Sequence, residues 1–241
     1  MIEEIKNAAE LSNRCQRNWD HSASIPDEHV ETLIHCIRHA PTKQNETHYK
    51  VFYTRDPDLI YKIYRKTRHF AVTPSTVDAT QFTDNNGRTA LEYTVRNSQA
   101  NANLLIAFCD DWDQSKSRTM IHRIVDERPN DDMSVAVAEK ERQKALSIGV
   151  ATGELILAAN LLGYRTGICS AFWAHEMTDF FEGGELRLLI GIGRPHPNKD
   201  RKEHDEILNK DIVAVDRRSG DDDEKWIFPT FEKDVMIKEL L

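Results

Sequence analysis

The sequence has little of several things, and each shortage excludes a class of protein. Only four cysteines occur in 241 residues, at Cys15, Cys36, Cys109 and Cys169, with no Cys-x-x-Cys pair. A chain of this size builds a sufficient core without covalent staples, so reduced thiols of a cytoplasmic protein are expected. Positive charge is also short: 32 Lys and Arg against 40 Asp and Glu leave a formal charge of -8. Non-specific nucleic-acid binding rests on cations that neutralise phosphates, so no nucleic-acid partner is expected. Long apolar runs are missing too. The greasiest stretch, Ile148 to Tyr164, carries Glu154 and Asn160 and is short for a bilayer span, so no membrane partner is expected. Met1-Ile2-Glu3-Glu4 has neither the basic nor the apolar region of a targeting segment. Neither a repeat nor a Gly/Ser-rich linker divides the chain, so residues 1–241 are read as one domain.

Periodic apolar blocks run from end to end. Ile2, Ile5, Ala9 and Ser12 fall at helical spacing and predict a first helix ending near Asn13. A second starts at Pro26-Asp27, carries Val30, Leu33, Ile34 and Ile37 on one face, and stops before Pro41. His48 to Thr54 reads as a strand, and Asp56-Pro57-Asp58 opens another helix. Residues 70–87, dense in Thr, Ser, Asp, Asn and Gly, read as a loop, followed by a helix from about Arg88 to Ala100. Asn103 to Cys109 predicts a strand covered on both faces. Residues of about 110–140 read as a helical insertion or lid. A long helix from about Val135 to Leu162 is apolar nearly all round and predicts burial on every side, in the domain or at a dimer interface. Gly163 ends it in the left-handed position. Strands follow at about Thr166 to Ser170 and Glu185 to Ile192, with a short helix near His175 to Phe181 between them and a weaker strand at Ile212 to Val215. The apolar end of the tail at about 215–241, from Trp226 on, is expected to dock on its own domain or on a partner chain. Helices and strands mix without β-α-β alternation, which indicates an α+β fold.

Three segments could carry chemistry. Asn13-Arg14-Cys15-Gln16-Arg17-Asn18-Trp19-Asp20 places two arginines three apart, a spacing that can grip a phosphate. Ala40-Pro41-Thr42-Lys43-Gln44-Asn45-Glu46-Thr47-His48-Tyr49 is a polar loop between a helix and a strand, offering amides and hydroxyls to a heterocycle edge or a sugar chain. Gly163 to Phe172 is a glycine-capped helix feeding a strand whose small residues would let a flat ring approach the backbone. Taken singly, each is an ordinary surface turn or connection. Other signals fail. Gly191-Ile192-Gly193 lacks the third glycine and the following helix of a dinucleotide fingerprint. His35 and His39 share a helix face but no third ligand lies nearby, so no metal is expected. Nothing pairs Cys169 with a histidine for nucleophilic catalysis.

In this order and spacing the three segments resemble the FMN-dependent nitroreductase family over roughly residues 10–200. Cys15, Arg17 and Trp19 stand at the Ser, basic and aromatic positions of its Arg-x-Ser-x-(Arg/Lys)-x-Phe motif, and Asn13 where its first arginine falls, with Arg14 one place along. Ala40, Pro41, Thr42 and Asn45 match Ala-Pro-Ser-x-x-Asn, and Thr47-His48-Tyr49 replace Gln-Pro-Trp. The resemblance implies a three-layer α-β-α fold, with a mostly antiparallel central sheet flanked by helices, in an intertwined homodimer with two FMN sites at its interface. It implies phosphate contacts from Asn13, Arg14, Cys15 and Arg17, joined by a later basic residue, with Arg201 taken and Lys199 and Lys202 as rivals. Pro41, Thr42 and Asn45 would contact flavin and ribityl chain, Asn97 the ribityl segment, and the backbone of Ile168, Cys169, Ser170 and Ala171 the neighbourhood of flavin N5. It further implies NAD(P)H as donor, a nitroaromatic or quinone-like acceptor, and no side-chain catalytic acid, because the flavin carries the chemistry. Two alternatives stand beside it: an FMN-binding protein with little turnover, and a relative with other flavin chemistry such as dehalogenation, dehydrogenation or flavin fragmentation.

Overall fold

The structure is a computed structural model describing residues 1–42, 45–46, 48–68, 70–74, 93–110, 133–182, 184–199, 201 and 212–214. Two compact units emerge, one of Met1–Arg68 with Arg96–Glu206 and one of His69–Val95 with Ile207–Leu241.

The larger unit is built on four antiparallel strands in the order β1-β4-β6-β5, namely β1 (Tyr49–Thr54), β4 (Leu104–Asp110), β5 (Arg165–Cys169) and β6 (Leu186–Gly193). Its helices are α1 (Ile2–Ser12), α2 (Asp27–His39), α3 (Pro57–Tyr64) and α4 (Met133–Leu161). The sheet is covered on both faces because its central strand is apolar at every position up to Asp110. Side chains alternate along a strand, so Leu104, Ile106 and Phe108 join Leu33 and Ile37 of α2 and Leu155 and Ala159 of α4 in one core. Leu105, Ala107 and Cys109 point the other way, into a second core with Ile60 and Ile63 of α3. The expected two-faced strand is therefore present. The local signals that start α3 also act as read: Asp56 accepts from the Asp58 N–H at 3.0 Å, with Pro57 at the first helical position. Gly163 ends α4's turn at φ 83°.

The smaller unit holds three antiparallel strands in the order β3-β2-β7: β2 (Phe70–Pro74), β3 (Tyr93–Val95) and β7 (Ile212–Ala214). Here the sequence reading needs correction. Phe70–Pro74 is a strand, not the start of a loop, since Phe, Val and Thr favour extended backbone and the turn-forming residues begin only at Pro74. Tyr93–Val95 is also a strand rather than helix, for the same β-branched and aromatic preference, and only Ser98–Ala100 turns, as a 3-10 helix. The start of that expected helix, the insertion over 111–132, and the tail at 215–241 lie outside the described residues. The short helix expected near His175 is two 3-10 turns, Ala174–Glu176 and Thr178–Phe180.

Within one chain helix α4 is buried on one side only, which leaves the expected dimer-interface alternative to its other side. Ala151, Leu155 and Ala159 are buried, while Leu146, Val150 and Leu161 are exposed within one chain, with Gly149 and Gly153 on the same side. Its Ala138–Leu161 stretch is, contrary to the sequence reading, long and apolar enough to cross a membrane by length and composition. Half of that window is buried inside the protein, with Ile148, Ala151, Leu155 and Ala159 in its own core.

Candidate functional site

The first motif leaves α1 and runs back along the free edge of β5. The Gln16 N–H donates to Thr166 C=O at 2.8 Å, the Arg17 N–H to Arg201 C=O at 3.2 Å, and the Asp20 N–H to Arg194 C=O at 2.9 Å. Trp19 is buried and its Nε1 donates to Ser98 C=O at 2.9 Å. The segment is thus stitched to β5, to the chain after β6, and to the 98–100 turn.

Glycine makes this close approach achievable. A Cβ on Gly167 would lie 2.8 Å from Gln16 O, 2.8 Å from Gln99 Cβ and 2.9 Å from Gln99 O. A Cβ on Gly191 would collide with the Gln99 carbonyl, and one on Gly193 with the Asn103 side chain. The Gly-Ile-Gly of β6 therefore admits the 99–103 segment against the sheet.

A cleft of about 200 Å³ opens where these pieces meet, lined by Arg14, Gln16, Arg165, Lys199 and Arg201. Four cations line it, and no carboxylate does among the described residues. Arg17 lies alongside, nearly buried. Burial pushes its guanidinium below the ordinary arginine value, Cys15 opposes this, and the Arg201 charge adds to it. Such a concentration of like charge suits a compact anion.

The other expected residues divide in two. Thr166 C=O accepts from outside the sheet, and in an antiparallel strand alternate residues present both backbone groups to the same side. Ile168 therefore faces the open edge of β5 as Thr166 does. Cys169 is buried, its thiol pushed up to about 12 by desolvation, and the Ala171 N–H hydrogen-bonds it. A thiol so protonated is a poor nucleophile. The Ala171 C=O accepts from the Arg68 N–H at 2.7 Å, whereas Ser170 is exposed. Asn97 is half-buried, its N–H bonded to Thr67 Oγ1 at 3.1 Å, directly before the 98–100 turn that holds Trp19. Asn13 is exposed and Cys15 half-buried, both beside the cation cleft in sequence.

The second motif lies apart. Ala40, Thr42, Asn45 and Glu46 line a different cleft of about 380 Å³ with Tyr49 and Tyr53 of β1. Asn45 holds φ 58°, a left-handed conformation that asparagine tolerates, and its N–H donates to Thr42 C=O at 3.2 Å. Pro41 is exposed and Thr47 lies outside the described residues. The two clefts share no lining residue. His35 and His39 stack on each other with centroids 3.9 Å apart, and no group of three metal-ligating side chains forms among the described residues.

Sequence reasoning missed Gln16 and Arg165. The signal for Arg165 was its place at the head of a strand whose neighbours are small, next to the glycine cap. Lys202, considered with Lys199 and Arg201, lies outside the described residues.

Among curated proteins no relative matches the chain significantly. Solved structures do resemble it. B. megaterium NfrA2 is 17% identical with a TM-score of 0.53, over 86% of this chain and 76% of that one. A nitroreductase family protein from Streptococcus pneumoniae is 16% identical at a TM-score of 0.52, over 83% and 93%. A Staphylococcus epidermidis protein assigned as an NAD(P)H:FMN oxidoreductase is 13% identical at 0.52, over 80% and 89%. At such identities these likenesses concern the fold. The family model described as "Nitroreductase family" matches residues 12–194, which span all three motifs, and the chain belongs to the nitroreductase family.

Proposed function

We propose that this protein is an FMN-dependent NAD(P)H oxidoreductase that reduces nitroaromatic or quinone-like acceptors in a ping-pong cycle. The observation that carries the reading is the cleft of four cations, lined by no carboxylate among the described residues, which the first motif holds against β5. A flavin phosphate fits it by charge and by donor chemistry, and the Gly167 approach keeps the adjacent strand free of side-chain bulk. The Staphylococcus epidermidis structure carries an NAD(P)H:FMN assignment in its name, which agrees with this chemistry.

When bound, FMN supplies hydride acceptance and donation at N5. The chain's own residues hold and orient. Arg14, Lys199 and Arg201 fix the phosphate, with Arg17 as a buried brace behind them and Asn13 and Cys15 completing the turn. The outward backbone of Ile168 and Ser170 faces the flavin edge, with Cys169 and Ala171 holding the turn's shape. Asn97 reaches the ribityl chain. No side-chain acid is assigned, and the buried Cys169 thiol is too weak an acid to serve.

Pro41, Thr42 and Asn45 contact the flavin from the other chain of a homodimer of three-layer subunits. Two observations support this: the separate clefts, and the exposed apolar stripe of α4 at Leu146, Val150 and Leu161, with Gly149 and Gly153 permitting close helix approach.

The test is direct. Purified protein should be yellow, release FMN on denaturation, and oxidise NAD(P)H when a quinone is added. A colourless protein that takes up no FMN overturns the proposal. A yellow protein without quinone-dependent turnover reduces it to flavin binding.

A further inference from the structure

Arg165 has a setting unlike that of most arginines in this fold. It heads β5 opposite Gly193, so its backbone is fixed by the β5–β6 register and by the Gln16–Thr166 hydrogen bond next door. Its side chain is half-buried and lines the cation cleft with Arg14, Lys199 and Arg201. Among the described residues its one hydrogen bond is Nη1 to the Tyr164 carbonyl at 2.9 Å, and no carboxylate pairs with it. A guanidinium carries five N–H donors, so most of its capacity is uncommitted. Burial holds its guanidinium below the ordinary arginine value. Three further cations line the same cleft. The fold nonetheless keeps the group there, on a rigid strand instead of a loop.

Such burial of a charge is offset when a dianion occupies the cleft. A phosphomonoester does so with the geometry a planar guanidinium prefers, two parallel N–H···O bonds. The Tyr164 hydrogen bond holds the fork in one orientation beforehand. We propose that Arg165, to which the family resemblance assigns no role, is a phosphate-specificity residue of this cleft and sets its preference for FMN over riboflavin. The inference rests on the phosphate-cleft reading above.

The experiment compares FMN and riboflavin binding to the full chain freed of flavin, by fluorescence quenching, for wild type, Arg165→Gln and Arg165→Lys. Arg165→Gln is expected to weaken FMN about tenfold or more while moving riboflavin less than about twofold. Arg165→Lys, which keeps the charge and loses the planar fork, falls between. The dependence of FMN affinity on salt flattens in Arg165→Gln. Unchanged FMN affinity in a folded Arg165→Gln, or an equal loss for both flavins, overturns the assignment. If Arg165→Gln does not fold by circular dichroism, Arg165→Lys decides: an unchanged FMN preference overturns it. Wild type that binds FMN no better than riboflavin overturns the phosphate-cleft reading instead, so the two failures are distinct.

Discussion

The two ends of strand β6 carry charge in opposite ways. At its start, Arg187 makes a bidentate pair with Asp110 at 2.7 and 2.6 Å and reaches Glu141 at 2.9 Å. Lys144, only 6% exposed, adds bonds to Asp110 at 2.6 Å and Glu141 at 3.0 Å. At its far end, Gly193 lies opposite Arg165, where four cations share a cleft with no carboxylate among the described residues. The first cluster is saturated. Its charges are balanced within the protein, and it ties β4, β6 and α4 together. The second is unbalanced and open. One end of the strand thus pairs its cations with carboxylates, while the other gathers cations round a cleft that no carboxylate lines among the described residues, the feature on which the proposed phosphate site rests.

The contrast is tested most severely by Asp110→Ala. Removing the centre of the saturated cluster leaves the buried Lys144 ammonium and Arg187 without their main partner, and is expected to destabilise the fold by about 3–5 kcal/mol. Urea unfolding measures this, and flavin affinity in the folded fraction should stay at the wild-type value. A loss below about 1 kcal/mol would make the cluster a loose surface network.

Gly167→Ala probes the cation end through packing, because its Cβ pushes Gln16 and Gln99 off the sheet. About 1–3 kcal/mol of stability should be lost. FMN affinity should fall as well, since the first motif no longer docks on β5. An alanine variant with wild-type unfolding and binding would remove the packing argument for this glycine.

A smaller effect separates the ends by charge alone. Arg14→Gln should weaken FMN about tenfold without moving riboflavin. It should leave the unfolding midpoint unchanged or slightly raised, because it relieves repulsion in the cleft. A destabilised Arg14→Gln would mean the cleft is balanced within the protein after all.

The smallest effect is on pH. Burial raises the Asp110 carboxyl, but hydrogen bonds from Arg187 and Lys144 outweigh this and hold it below the ordinary aspartate value. The unfolded chain then takes up the proton first on acidification, so the cluster's stabilisation is complete above about pH 4 and fades as pH falls further. The gap in stability between wild type and Asp110→Asn, followed by urea unfolding, should narrow below about pH 4. A gap that widens there would reverse the sign and the account.

How much was legible beforehand differs from element to element. The Leu104–Asp110 strand, the Asp56-Pro57 helix start and the Gly163 cap were readable because each obeys a local rule of period or of capping. Phe70–Pro74 and Tyr93–Val95 were not. Their short runs of β-formers are outweighed, in any window long enough to judge, by the polar residues between them, and it is pairing with each other and with Ile212–Ala214 that fixes them as strands. The first motif was visible as Arg14 and Arg17. Arg165 and Gln16 were not, because what gives them a place in the site is the approach of residue 16 to residue 166.

The sequence by itself determined the α+β character, the two-faced central strand and the family, since period, capping and motif spacing are written along the chain. The tertiary structure alone decided which cations gather round a cleft that no carboxylate lines among the described residues. It also decided that the Ala40–Asn45 loop lines a different cleft, and that one stripe of α4 is left bare. Those are relations between residues far apart in the chain, and only the register of β5 on β6 and the close approach allowed by Gly167 and Gly191 create them.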